Sequence, residues 1–173
     1  NEHMVKLPVI VYNRDSQSEV LIDAIDLRNK LEEIASAEYA KTGKYIRPIA
    51  LFQAQPKGKE DATTFEKLRD KLVDAGIPAE QIAIRTADVN ELKNVELMSL
   101  SCPIRYIITV NALKEGWDCP FAYILASLAN KTSQVDVEQI LGRILRLPHT
   151  SQHTQSALNM SYVLTSSNDF NNT

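Results

Sequence analysis

Two periodicities alternate along the chain. Leu21, Ala24, Ile25, Leu31, Ile34 and Ala35 recur at helical spacing and predict one apolar helix face. Ser16-Gln17-Ser18-Glu19 precedes them with the hydroxyl and glutamate of a capping box, and Gly43 closes the run. A second helix is predicted from Thr63-Thr64-Phe65-Glu66, with Phe65, Leu68, Leu72 and Val73 as its stripe and Gly76 and Pro78 at its end. A third runs from Ser133 to about Leu145, stopped by Pro148. Between them lie β-rich runs: Ile46 to Phe52, with Pro48 near its start, Ile82 to Ile84, Arg105 to Val110, Phe121 to Leu128 and Ser161 to Thr165. Val9 to Tyr12 is a candidate first strand, residues 53–61 form a polar loop, and residues 88–99 are ambiguous, with a short helix as one assignment. Strands alternating with helices of this length predict an α/β fold in three layers, a mainly parallel sheet covered on both faces with right-handed crossovers.

Composition narrows the setting. The chain has 173 residues, 44% of them hydrophobic and 24% charged, enough for one ordinary domain to bury a core without disulfides or metals. Its formal charge of −3 excludes a wholesale basic coat, so any nucleic-acid site is a local patch. No apolar run approaches the length of a membrane helix. Cys102 and Cys119 are each followed by proline and form no C-x-x-C, which argues against a zinc site or a secreted disulfide scaffold. A cytoplasmic location is expected. Asn1 to Met4 resemble a cloning scar, which leaves residues 5–173 as a single domain; the polar end, Asn168 to Thr173, suggests one cut from a larger protein.

Ligands of open parallel sheets bind beyond the carboxyl ends of the strands. Two segments fall at such places: Thr109 to Pro120, and Val137 to Pro148. In the second, Gln139, Arg143 and Arg146 fall within roughly 60° of one another on a helix, and Ile140, Ile144 and Leu147 form another stripe. Gly142 beside the arginines costs about 1 kcal/mol relative to alanine and lets a ligand approach the backbone. Guanidinium groups match phosphate oxygens bidentately. Spacing alone leaves two readings open, a polyphosphate held on this face or a solvated charged face with an accidental glycine.

Other patterns carry less. Lys57-Gly58-Lys59 reads as a solvated loop. His149 and His153 are four apart but have no third ligand nearby. Glu91-Leu92-Lys93 matches the tail of a nuclease E-x-K pattern without its preceding Pro-Asp, and reads as a surface pair. Trp117 fits core packing or cleft lining better than base stacking, and Cys119 reads as a buried small apolar residue.

Taken together, Gln139-x-x-Gly142-Arg143-x-x-Arg146 resembles motif VI of superfamily-two helicases, and the upstream Asn111 to Asp118 resembles their motif V. The phrases VNALKEGWDCP and VEQILGRILRLP are most similar to the Res subunits of type III restriction enzymes and related DEAD/DEAH-type proteins. The likeness is strong over residues 104–148 and fainter over 46–85, where Gln53-Ala54-Gln55-Pro56 occupies the place of motif IV.

This resemblance implies a RecA-like C-terminal motor lobe, with ATP bound between it and an N-terminal RecA-like lobe of the same parent chain. It implies Arg146 as the arginine finger and Arg143 as a second phosphate or partner contact. Gln139, Gly142, Gly116 and Asp118 fall on the nucleotide side, with Asp118 alternatively a structural partner of one arginine. Asn111 and Lys114 are the implied nucleic-acid contacts. The family's motif V threonine, six residues before the glycine, is Val110 here; Thr109 stands one place earlier, where a strand turns its side chain to the other face. The chain has no G-x-x-x-x-G-K-[ST] and no D-E-x-[HD] after an apolar strand, so ATP and Mg²⁺ are implied for the complete enzyme only. DNA is the implied track, and a methyltransferase (Mod-type) subunit a further candidate partner. The rival expectation is a RecA-like fold kept as a non-catalytic protein-interaction module, its arginines holding a protein partner or internal acids.

Overall fold

The computed structural model describes residues 9–54, 64–86, 88–110, 119–128 and 156–166. Among them β1 (Val9–Asn13), β2 (Ile49–Gln53), β3 (Ile82–Ile84), β4 (Tyr106–Thr109), β5 (Ala122–Ser127) and β6 (Ser161–Thr165) form one sheet in the order β1-β6-β5-β2-β4-β3. Every pairing is parallel. This is the α/β, RecA-like sandwich expected, with the sheet parallel throughout the described strands. Two helices accompany it, α1 (Gln17–Thr42) and α2 (Phe65–Asp74). α1 packs against β2, β5 and β6, and α2 packs against β4.

The strands are continuous apolar runs, as strands covered on both faces must be. Ile49, Ala50, Leu51 and Phe52 of β2 are all 0% exposed. Successive side chains point to opposite faces, so neither face of the centre meets water. Pro48, which lacks a backbone N–H, stands just outside β2.

The helices start and stop where the chain supplies caps. The Ser16 hydroxyl accepts the Glu19 N–H at 3.2 Å, and Gly43 ends α1 at φ 77°, its N–H donating to the Tyr39 carbonyl at 2.8 Å. Glu19 does not complete the reciprocal box; its carboxylate takes the Ser16 hydroxyl at 3.4 Å instead. In α2 the cap is Thr64, one residue beyond the Thr63 of the predicted box, and it accepts from the Lys67 N–H. Adjacent threonines offer the same hydroxyl, and the pattern does not choose between them. Leu68 and Leu72 are fully buried, whereas Val73, about 100° further round, is 42% exposed. The described part of residues 88–99 forms successive turns rather than a short helix. Asn94 adopts φ 63°, and Glu91 turns back to bond Ile84, both incompatible with a helix.

Two buried arginines fasten the amino-terminal side of the sheet. Arg47, 1% exposed, donates to the carbonyls of Ile104 at 2.7 Å, Ser99 at 3.0 Å and Leu97, and to the Tyr45 hydroxyl at 3.2 Å. Its guanidinium carbon lies 5.9 Å from the Tyr45 ring centroid and 5.7 Å from that of Phe121. No carboxylate among the described residues pairs with it; the carbonyls of the loop before β4 solvate the charge. Arg28, on α1, donates to the Pro48 carbonyl at 3.0 Å, the Tyr106 hydroxyl at 3.2 Å and Glu32 at 2.7 Å. Glu32 also receives Arg105 at 2.9 Å. Burial pushes the Glu32 carboxyl up, but the hydrogen bonds from Arg105 and Arg28 outweigh it and hold the group below its ordinary value. Among the described residues no helix is long and apolar enough to cross a membrane.

These contacts set two expectations. Arg47→Ala leaves buried carbonyls unpaired and should cost roughly 3–5 kcal/mol. Arg69→Ala removes a half-exposed pair with Glu91 and should cost less than about 1 kcal/mol; urea unfolding of the two variants compares them. Because the folded Glu32 is depressed, its stabilisation is present above the ordinary value of 4.5 and is lost as pH falls through the lower folded value. Glu32→Gln should therefore be less stable than wild type at pH 7, with the difference narrowing below that value, as read by melting temperature against pH.

Candidate functional site

The last residues of five strands fall in one register. Asn13 is opposite Thr165, Thr165 opposite Ser127, Ser127 opposite Gln53, and Gln53 opposite Thr109. The result is a polar row across β1, β6, β5, β2 and β4, at the carboxyl edge. The row beneath it, Tyr12, Leu164, Ala126, Phe52, Ile108 and Ile84, is apolar except for the Tyr12 hydroxyl. Partners in a parallel ladder point to the same face, so the five side chains share a face. Thr109, Ser127 and Thr165 are at most 1% exposed, and Gln53 and Asn13 are half-buried. Groups with this hydrogen-bonding capacity are retained in such positions only when they have partners. Thr109, Ser127, Thr165 and Asn13 are all engaged.

Backbone bonds carry the ladder one residue past the row. The Ala54 N–H donates to Thr109 at 2.8 Å, Leu128 to Gln53 at 2.9 Å, and Arg14 to Thr165 at 2.9 Å. The start of α1 meets the same edge, where the Gln17 side-chain amide donates to the Leu128 carbonyl at 2.9 Å. The edge therefore combines a polar row, a helix start and the departure points of the chain after β2, β4, β5 and β6.

The residues singled out from the sequence for chemistry follow these departure points. Asn111, Lys114, Gly116 and Asp118 belong to the connection after β4, whose residues 111–118 lie outside the described residues. Gln139, Gly142, Arg143 and Arg146 belong to the connection after β5, whose residues 129–155 also lie outside them, as do the loop 55–63, the predicted helix from Ser133, Trp117, His149 and His153. What the structure positions is the flanks. Thr109 and Val110 lead into the first segment, Cys119 leaves it, and Ser127 and Leu128 lead into the second. Thr109, one place before the family's threonine position, is fully buried in the polar row. Cys119 is fully buried, as its sequence reading expected, and neither cysteine forms a disulfide.

Glu91 belongs to the sheet edge and not to a nuclease pattern. Its carboxylate accepts the Ile84 N–H at 2.8 Å and pairs with Arg69. The hydroxyls whose protonation is shifted also lie away from the polar row. Burial first, then Tyr162 and Glu38, pushes the Tyr123 hydroxyl far up, and burial followed by Tyr12 raises Tyr162. Both remain donors, Tyr123 to the Leu158 carbonyl at 3.0 Å and Tyr162 to that of Ala157 at 2.8 Å. They tie the turn Ser156–Asn159 to the sheet just before β6. Among the described residues no three acidic, histidine or cysteine side chains group as a metal site.

The row as a whole was missed by sequence reasoning, although a signal existed. VIVYN, IALFQ, YIIT, AYILAS and SYVLT each end an apolar run on one hydrogen-bonding residue. Comparison with known proteins adds no identity: no protein-family model matches the chain, and no curated protein matches it.

Proposed function

We propose that the chain is the C-terminal, RecA-like motor lobe of an ATP-dependent DNA helicase or translocase, resembling the Res subunit of type III restriction enzymes. One observation carries this assignment. The two segments that resemble motifs V and VI follow β4 and β5 in the chain, and the carboxyl ends of those strands flank that of β2, the edge at which open parallel sheets take their ligands.

The described strand ends form the floor of such a site and not its ligand contacts, since Thr109, Ser127, Thr165 and Asn13 are already engaged within the protein. In this reading the nucleotide and Mg²⁺ contacts come from the two motif segments and the other lobe. Arg146 is the finger in this reading, and Arg143 the second phosphate or partner contact. Gln139 orients the nucleotide side, and Gly142 admits a close approach to the helix. Phosphoryl transfer spreads charge over the phosphate oxygens, and a guanidinium fixed beforehand stabilises that charge without reorganising. Asn111 and Lys114 are the nucleic-acid contacts in this reading, with Gly116 and Asp118 assigned to the nucleotide side. A cytoplasmic enzyme and a methyltransferase partner belong to the same reading.

Two experiments test it. The purified chain should release no phosphate from ATP, while in the complete parent enzyme Arg146→Ala should lower kcat by roughly 10³-fold with little change in KM. Arg143→Lys should also be harmful, because lysine cannot reproduce a bidentate fork. A parent enzyme carrying Arg146→Ala at near wild-type turnover would return the arginines to a protein-interaction role. Separately, the isolated chain should bind DNA more weakly than about 10 μM at physiological salt, with affinity falling steeply as salt rises. That residual binding should depend on Asn111 and Lys114 more than on His149 or His153. Fluorescence anisotropy giving tight, salt-insensitive or sequence-selective binding would contradict a half-groove.

A further inference from the structure

The two edges of the sheet are finished differently. At β3 the chain seals its own edge. Arg85 donates to the Ile108 carbonyl of β4 at 2.8 Å, so by the alternation of the ladder Ile84 turns its backbone groups outward. Both are taken by one residue: the Ile84 N–H by the Glu91 carboxylate at 2.8 Å, and the Ile84 carbonyl by the Glu91 N–H at 2.9 Å. The antiparallel bridge between Arg85 and Asn90 completes the cover.

At β1 no such cover exists among the described residues. Arg14 donates to the Thr165 carbonyl, so Tyr12 and Ile10, of the same parity, bond to β6. Val9 and Val11 turn their N–H and C=O away from the sheet. Their side chains are 41% and 37% exposed. The Asn13 carbonyl, at the end of this open ladder, accepts the Arg14 guanidinium at 3.2 Å. The strand reads Val-Ile-Val-Tyr-Asn and pairs with β6 in unbroken register. It carries no lysine, proline or bulge, the devices that ordinarily keep an edge from pairing.

We propose that this open edge joins two copies of the chain into a twofold dimer, β1 against β1 in antiparallel pairing centred on Val11. The open row of N–H and C=O groups calls for another extended backbone, and the strand is complementary to itself. With Val11 on the axis, each copy's Val11 exchanges both hydrogen bonds with its mate. Ile10 then stands opposite Tyr12, a β-branched residue against an aromatic ring, and Val9 stands opposite Asn13. No charge lies within the strand, so the pairing opposes no like charges, and the neighbouring Arg14 is held by Asp23. A twofold pairing uses each copy's β1 edge once and so closes at two copies, while at the other edge Glu91 occupies the outward groups of Ile84. Antiparallel pairing sends the two carboxyl edges to opposite ends of the joined sheet.

Sedimentation velocity from about 1 to about 500 μM tests this, since one five-residue strand falls short of the roughly 800 Å² per partner of a standard interface. Dimer is expected to grow over that range. Val11→Lys, which sets like charges together at the axis, and Val11→Pro, which removes the central N–H, should each raise the dissociation constant at least tenfold. Ile22→Ser and Leu100→Ser alter exposed apolar side chains elsewhere and should leave it unchanged. Hydrogen exchange of the wild-type chain gives a reading independent of any variant: the Val9 and Val11 amides should be protected at high concentration and exchange freely at low concentration. A monomer throughout the range, oligomers beyond two, loss of the dimer in the Ile22 or Leu100 variants instead, or unprotected Val9 and Val11 amides would each overturn the proposal.

Discussion

The structure depends on β2 having no side that faces water. Its neighbours are β4 and β5, and its four apolar residues are fully buried. A strand in that position must be apolar on both faces and must have its backbone satisfied on both sides. The chain meets both demands by running every described strand the same way, which brings five strand ends to a common edge. Polar residues stop each of those strands at the same level, so the core ends in a line of hydroxyl and amide groups rather than in a ragged border.

Charge and hydrogen-bonding capacity are divided between the two sides of the sheet. The amino-terminal side carries the buried cations, Arg47 in its cage of carbonyls and Arg28 with Glu32 and Arg105. These groups are saturated by protein partners and hold β2, β4 and α1 together. The carboxyl edge holds no charged group in its row and is where the long connections depart. Buried charge is concentrated on one side, and the segments proposed for chemistry follow strands that end on the other.

Much of the architecture was legible in the sequence because burial on both faces writes itself as continuous apolar runs. β3 and β6 match their predicted bounds, and Ser16 and Gly43 bound α1 as their cap chemistry requires. Where the reading failed, the deciding contact was distant. Nothing near residues 88–99 reveals that Glu91 reaches back to Ile84, and nothing local distinguishes Thr63 from Thr64 as a cap. The polar row was invisible for a related reason, since register across five strands is a property of the sheet and not of any one of them. The candidate site rests on motif spacing at Asn111 to Asp118 and Gln139 to Arg146, which lie outside the described residues, and the structure contributes the strand ends that precede those segments in the chain.

The strand order also dictates when the molecule can become whole. β1 is the first of the described strands, and its partner is β6, the last of them. During synthesis β1 emerges before the other described strands and lacks its ladder on β6 until residues 161–165 follow. Contacts between such distant segments are slow to form, because the intervening chain must first be ordered. Meanwhile α1 and the strands around β2 can assemble, leaving Val-Ile-Val-Tyr without a neighbour on either side. The sheet is thus closed by the first of its described strands, and that strand waits with an unpaired apolar ladder until the last of them has been made.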